Sequence, residues 1–445
     1  MSPLTPPRRP APLRRRSLLA AGALTPPVLL GLAACGADDG GGEAPDLLAE
    51  VPREKPGAPQ DAGPAVVPFT ARILGAIDRG EVNAVCSPLS VQVALTMIGM
   101  GASGDTRAQM EEVLGAPMED LAASANTLSQ VLATVGDEQR EADEEDGPEP
   151  SRASLVNATW LQEGLSVEDS FLEDLSAWFG SGVFEADFRE TGPREKARER
   201  INDWVADSTA DLIEELVPEG ALGAATRLVL VNALHLKAAW PSPLTTSGGR
   251  FTTSADEEVG AEMLSGDAKG WYEDELCRAT ALPTAGGELA LALIQPVEDV
   301  ASVLEAWSSS ATDSGTGLGA LLSGLEESVP ARLTLPRFDI DGEASLTGTL
   351  QELGMVDAFS GDADFSGVTS EADLAITDVL HKAVITVDEE GMEAAAATAV
   401  MVGETAAPAE PKELVLESPF LYVAYERSTL APLVTGWIGD PTQTR

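Results

Sequence analysis

The chain has 445 residues, is 44% hydrophobic, and carries 28 basic against 73 acidic side chains, a formal net charge of −45. That hydrophobic share excludes wholesale disorder. The charge excludes nucleic acid as a main partner and an anionic lipid surface met through a basic patch. Two histidines, His235 and His381, leave little material for histidine metal sites or catalytic triads. By length alone, about three domains are expected.

Residues 1–34 read as an export signal. Arg14, Arg15 and Arg16 precede an apolar run over 18–34 that contains Pro26 and Pro27 and is short for a spanning helix. Leu32-Ala33-Ala34-Cys35-Gly36 resembles a bacterial lipoprotein signal, with Cys35 as the lipidated residue. Arg15-Arg16-Ser17-Leu18-Leu19 resembles a twin-arginine signal. An uncleaved amino-terminal anchor is the alternative, and either places the body outside the cytoplasm. Removing 1–34 takes five arginines and no acids from −45, leaving −50. Residues 35–64, rich in Gly, Pro and acids, read as a flexible tether. Cys86 and Cys277 lie in apolar runs and read as buried free thiols, although export permits a disulfide.

Beyond residue 65 no domain-sized linker occurs. Ser87 and Pro88 give helix-start chemistry ahead of an apolar run over 91–100. Further helices are predicted over 106–114, 170–179 and 194–216. Residues 137–150, with eight acids among 14, read as a solvated insertion, and 308–319 as a loop. Strands are predicted over 155–161, 227–236, 289–295, 331–340, 379–387, 414–417 and 420–425. Their scatter argues for a mixed α+β domain and against a doubly wound sheet. Asn157-Ala158-Thr159 matches a glycosylation acceptor but falls within one of these strands. No nucleophile elbow, zinc-protease helix motif or phosphate loop is present in the sequence, so hydrolase activity is not expected.

Residues 379–402 carry the functional signal. A β-branched strand leads through Asp388, Glu389, Glu390, Gly391, Met392 and Glu393 into Ala394, Ala395, Ala396, Ala397 and Thr398. By composition an ordinary surface helix is preferred. A period-2 reading competes, with Met392, Ala394, Ala396, Thr398, Val400 and Val402 on one apolar face of a strand.

The run Glu389 to Thr398 resembles the reactive-loop hinge of inhibitory serpins. Asn83-Ala84-Val85-Cys86-Ser87-Pro88-Leu89-Ser90, Ile201-Asn202-Asp203-Trp204, the stretch Leu230 to Trp240, Leu335-Pro336-Arg337-Phe338, Phe365-Ser366-Gly367-Val368 and Ser418-Pro419-Phe420 are similar to other family blocks, in order. The resemblance spans roughly 65 to 443. It implies one domain, 65–445, of three β-sheets and about eight or nine helices, with a reactive loop at about 389–413. It implies an irreversible suicide-substrate inhibitor of serine or cysteine proteases, with no cofactor and no metal. The cleaved loop would insert into the main sheet as a new strand while the protease is held as an acyl-enzyme.

By the same resemblance, Ser87, Ser90, Asn232 and His381 form a polar shutter under that sheet. Lys237, Trp240 and Arg337 lie at the breach where insertion begins, with Glu389 paired to Arg337. Met392 departs from the Thr or Ser usual there, and His235 from a more usual aromatic residue. Counting forward from Gly391 gives Thr405–Ala406 as the reactive bond, with Glu404–Thr405 and Ala406–Ala407 as alternatives. Counting back from Pro419 lands on Pro408, three residues on. No Arg, Lys or aromatic residue occurs between Gly391 and Pro411, which favours elastase-like or subtilisin-like targets. The expected form is a monomer, lipid-anchored through Cys35 or secreted, and unresponsive to heparin-type polyanions. A non-inhibitory binding or structural member is the alternative.

Overall fold

The structure is a computed structural model and describes residues 43–77, 82–142, 149–209, 211, 213–310, 315–392 and 411–445. In chain order it runs α1 (Pro59–Ala76), β1 (Asn83–Cys86), α2 (Pro88–Gly99), α3 (Gly104–Leu114), α4 (Met118–Ala133), α5 (Asp137–Ala142) and β2 (Arg152–Gln162). Next come α6 (Asp169–Asp174), continued by a π-helical turn to Phe179, then β3 (Val183–Ala186), α7 (Thr191–Ser208), β4 (Leu228–Ala239), β5 (Thr245–Thr252), β6 (Glu258–Glu273), β7 (Cys277–Pro283) and β8 (Leu289–Pro296). The remainder is α8 (Val300–Ser309), α9 (Gly317–Leu325), β9 (Pro330–Pro336), β10 (Phe338–Ser345), α10 (Thr347–Glu352), β11 (Leu380–Val387), β12 (Gly391–Met392), β13 (Lys412–Val415), β14 (Phe420–Glu426) and β15 (Ala431–Ile438).

The main sheet has the order β10-β11-β12-β4-β2-β3. A second path runs β1-β15-β14-β8-β7-β6-β9-β13, with β5 on β6. The long β6 belongs to two sheets. Its first part pairs with β5 and β9, and its end with β7. Between them the register shifts around Gly270, whose φ of +84° is one that side-chain-bearing residues avoid. The fold is therefore a mixed α+β arrangement of three sheets. One face of the main sheet packs under α7, with Ala158, Trp160, Phe184 and Val231 against Ile201 and Val205. A larger core gathers α2, α3 and α4 with β14 and β15.

Local chemistry accounts for several helix boundaries. Ser87 caps α2, its Oγ accepting from the Ser90 N–H at 3.4 Å. Asp299 caps α8 by accepting from the Ser302 N–H at 2.7 Å. The helix expected over 194–216 is instead α7, which ends at Ser208. Asp211 follows at φ +64°. The buried Asn202 then pins the returning chain, accepting from the Leu216 and Val217 N–H groups at 3.0 and 2.8 Å and donating to the Val217 carbonyl at 2.9 Å. The loop expected over 308–319 is shorter, because α8 reaches Ser309 and α9 starts at Gly317.

The tether expected over 35–64 is corrected. Residues 43–58 lie along the body as an extended strap, and α1 starts at Pro59. Leu47 bridges Val183 of β3 through two backbone hydrogen bonds of 2.9 and 2.8 Å, and the Gly57 N–H donates to Thr127 Oγ1 of α4 at 2.8 Å. The prolines and glycines of this stretch read as a linker, yet in α1 burial of Val66, Phe69, Ile73 and Leu74 overrides poor helix propensity. Residues 1–34 and Cys35 lie outside the described residues. No helix among the described residues is long and apolar enough to cross a membrane.

Candidate functional site: the strand seat of the main sheet

The central feature is β12. Met392 pairs with Val387 of β11, and Gly391 and Met392 pair with Ala239 and Ala238 of β4. Among the described residues, these two are what joins β11 to β4. The chain enters this seat through a four-residue turn built on Asp388. Its buried carboxylate accepts from the Glu390 and Gly391 N–H groups at 2.9 and 3.0 Å, and its N–H donates to the Gly391 carbonyl at 3.1 Å. An Asp whose side chain holds the backbone two residues on makes an Asx turn. Asp388 was not singled out from sequence, although Asp-x-x-Gly after a β-branched run is the signal that marks such a turn.

β4 grips the turn from the other side. Trp240 is buried, its indole Nε1–H donates to the Asp388 carbonyl at 2.9 Å, and its backbone N–H donates to the Glu390 carbonyl at 2.8 Å. The Leu244 N–H donates to the Glu389 carbonyl at 2.8 Å. Arg337 stands at the switch from β9 to β10, with its Nη1 3.6 Å from Glu389 Oε2 and 3.7 Å from Glu262 Oε2. Lys237 points to Glu149, at 3.2 Å. Trp240, Arg337 and Glu389 therefore meet at one end of the main sheet.

Gly391 earns its place by close approach rather than by an unusual φ. A Cβ there would collide with the Ala238 carbonyl oxygen and crowd the Ala239 Cα. Met392 is 1% exposed, so the thioether fills the seat as a core residue. Glu393, Ala394, Ala395, Ala396, Ala397, Thr398, Glu404, Thr405, Ala406 and Ala407 lie outside the described residues.

The shutter residues meet in part. The buried His381 of β11 accepts the Ser87 N–H at its Nε2, 3.0 Å away, and Ser87 Oγ donates to Ser90 Oγ at 2.8 Å. Accepting at Nε2 places the ring proton on Nδ1 and keeps the imidazole neutral. Burial lowers the His381 pKa from 6.5 to about 4. Asn232 lies on β4 opposite Asn157 of β2. His235, also on β4, is buried opposite Ser154. Cys86 and Cys277 are buried free thiols, each pushed up to about 12 by burial. Thr159 is fully buried, so the Asn157 acceptor motif sits in a packed strand.

The main sheet thus holds a two-residue strand seated between two long ones and fed by a tight turn. The family profile for serpin (serine protease inhibitor) matches residues 65–441. The chain belongs to the serpin family, whose members are in general protease inhibitors rather than enzymes. It is 31% identical over 375 residues to a serine protease inhibitor of Cyanea capillata, covering 82% of this chain and 94% of that one. It is 32% identical to an uncharacterized serpin-like protein of Thermococcus kodakarensis, covering 85% of each, and 29% identical to the leukocyte elastase inhibitor of Bos taurus, covering 81% and 93%. Among solved structures, the thermophilic serpin tengpin in its native state is similar in fold at TM-score 0.74, with 24% identity and 88% and 97% coverage. A cleaved serpin 42Da gives TM-score 0.70 with 27% identity, covering 86% and 99%.

Proposed function

We propose that this protein is a suicide-substrate inhibitor of serine proteases, held outside the cytoplasm by a lipid on Cys35 or secreted. The observation that carries the reading is Met392 seated between β11 and β4 ahead of an alanine-rich run. Each further residue entering as a strand would gain ladder hydrogen bonds, worth about 1 kcal/mol net apiece. Alanine side chains enter with little steric demand.

The proposed bait bond is Thr405–Ala406, with Glu404–Thr405 and Ala406–Ala407 as neighbours. A protease serine attacks the bait carbonyl, the new amino terminus leaves, and an acyl ester links enzyme to inhibitor. Insertion of the freed segment carries the ester to the far end of the sheet before water completes hydrolysis. Small residues around the bait favour elastase-like or subtilisin-like enzymes over trypsin-like ones. The acidic surface favours neutral or basic proteases and disfavours polyanion activators.

The test is incubation with an elastase-like and a subtilisin-like protease, followed by denaturing electrophoresis. A complex that survives SDS, with a released peptide beginning at Ala406, is the expected result. Cleavage in the loop with no complex for either enzyme would contradict the inhibitor reading and favour a non-inhibitory binding protein.

A further inference from the structure

The turn over 388–391 does more than close a hairpin. Met392 stands opposite Val387 of β11 and Ala238 of β4, and all three are buried. Continuing that pairing along both strands fixes where each later residue of a joining strand would fall. Ala394 would meet Ile385 and Leu236, and Ala396 would meet Ala383 and Leu234. Burial alternates along β11, with Ala383, Ile385 and Val387 on the core face. The alanines would therefore enter the core, where small side chains fit. Glu393, the one charged residue over 392–403, would turn to the other face, opposite Thr386 and Lys237. Lys237 is partly exposed there, with its Nζ 3.2 Å from Glu149.

A slip of one residue would reverse this arrangement, because side chains alternate faces along a strand. Glu393 would then take the buried seat of Met392, against Val387 and Ala238, and an unpaired carboxylate would enter the core. Lys237 would face Ala394 instead. A strand of two residues has few ladder bonds with which to resist such a slip. The turn supplies the resistance. Asp388 is buried, and its Oδ1 alone accepts both the Glu390 and the Gly391 N–H groups, at 2.9 and 3.0 Å. The Asp388 N–H returns to the Gly391 carbonyl at 3.1 Å, directly before the Val387–Met392 pair. From the β4 side, Trp240 and Leu244 hold the carbonyls of Asp388, Glu389 and Glu390. The number of residues between Val387 and Met392 is thereby fixed by one side-chain oxygen.

We propose that Asp388 is a positioning residue for inhibition: its carboxylate fixes the register in which the cleaved loop joins the main sheet, so that Glu393 turns to Lys237 and the alanines turn to the core. This rests on the reading that the loop inserts at all. A strand that starts in the wrong register must withdraw and start again, and water completes hydrolysis of the acyl ester in that time. Loss of the turn therefore turns the inhibitor toward a substrate without changing the bait.

The test uses the full chain with an elastase-like and a subtilisin-like protease. It reads the moles of inhibitor consumed per mole of protease trapped, alongside the rate at which the loop is cut. Asp388→Ala should raise that ratio at least fivefold while the loop is cut as fast as in wild type. Asp388→Asn keeps an acceptor oxygen in place and should stay within twofold of wild type. Asp388→Glu keeps the charge but carries its oxygens one methylene further out; it should behave as Asp388→Ala, and it serves if Asp388→Ala does not fold. Adding Glu393→Ala to Asp388→Ala removes the charge that a slip would bury, and should recover at least half of the lost trapping. A turn needed only for folding would show no such recovery. Wild-type ratios in Asp388→Ala and Asp388→Glu, a defect in Asp388→Asn equal to that of Asp388→Ala, or no recovery in the double variant would each overturn the role of Asp388 while leaving insertion intact. A wild type that is cut by both enzymes and traps neither would contradict the inhibitor reading, and the role of Asp388 with it.

Discussion

At the scale of single residues, the site holds a buried neutral histidine and a partly exposed, paired arginine. Neutral His381 holds the Ser87 N–H, and burial depresses its pKa to about 4. Between pH 6.5 and about 4 the unfolded chain takes up a proton that the folded chain refuses. The stability this histidine contributes is therefore complete above pH 6.5 and is lost as pH falls toward 4. The loss amounts to about 3 kcal/mol. Denaturant titrations at pH 7 and pH 4 should show a drop larger by about that amount in wild type than in His381→Gln. Equal drops would show that His381 is not held neutral. Arg337 works differently. It is partly exposed between Glu262 and Glu389, and such pairs add little stability. Arg337→Glu instead places a third acid beside the turn. The expected outcome is a folded protein that converts early to a loop-inserted or polymeric form, seen as bands on native gels.

At the scale of elements, the proposed insertion would turn on side-chain size and charge. If the segment after Met392 enters the sheet as proposed, Ala396 would fall on the face of Met392, whose own side chain is fully packed. Ala396→Arg would bring a charge to that face, a cost of several kcal/mol unless it is paired. The variant should be cleaved as a substrate and release active protease, where wild type leaves it trapped; a stoichiometric assay reads the difference. Much of this element level was legible from sequence. β2, β4, β8, β11 and β14 follow their apolar or alternating patterns, and the ordered blocks pointed to the family. What was missed has physical causes. β1 and β3 are four residues each, too short for a period. The single strand expected over 331–340 is two, because Arg337 carries the chain from one sheet to another while its N–H donates to the Glu262 carbonyl at 2.8 Å. Alternation cannot reveal a change of sheet. Asp388 looked like one acid among several, and its value comes from a turn closed by Trp240, 148 residues away.

At the scale of the whole molecule, length misled. The three domains suggested by 445 residues are one serpin body over most of the chain. The strap was hidden for the same long-range reason: Gly and Pro read as linker, and its partners on β3, α4 and α7 lie far along the chain. With 73 acids against 28 bases, association with a basic protease should slow as salt rises from 0.05 to 0.5 M, by about tenfold. A rate independent of salt would show that the charge does not steer the encounter.

The central claim is that the cleaved loop joins the main sheet beyond Met392. Its most direct measurement is the melting temperature before and after a single cut in the loop. A dozen new ladder hydrogen bonds at about 1 kcal/mol each predict a rise of about 20 °C in a domain of this size. An unchanged or lower melting temperature after complete cleavage would contradict it.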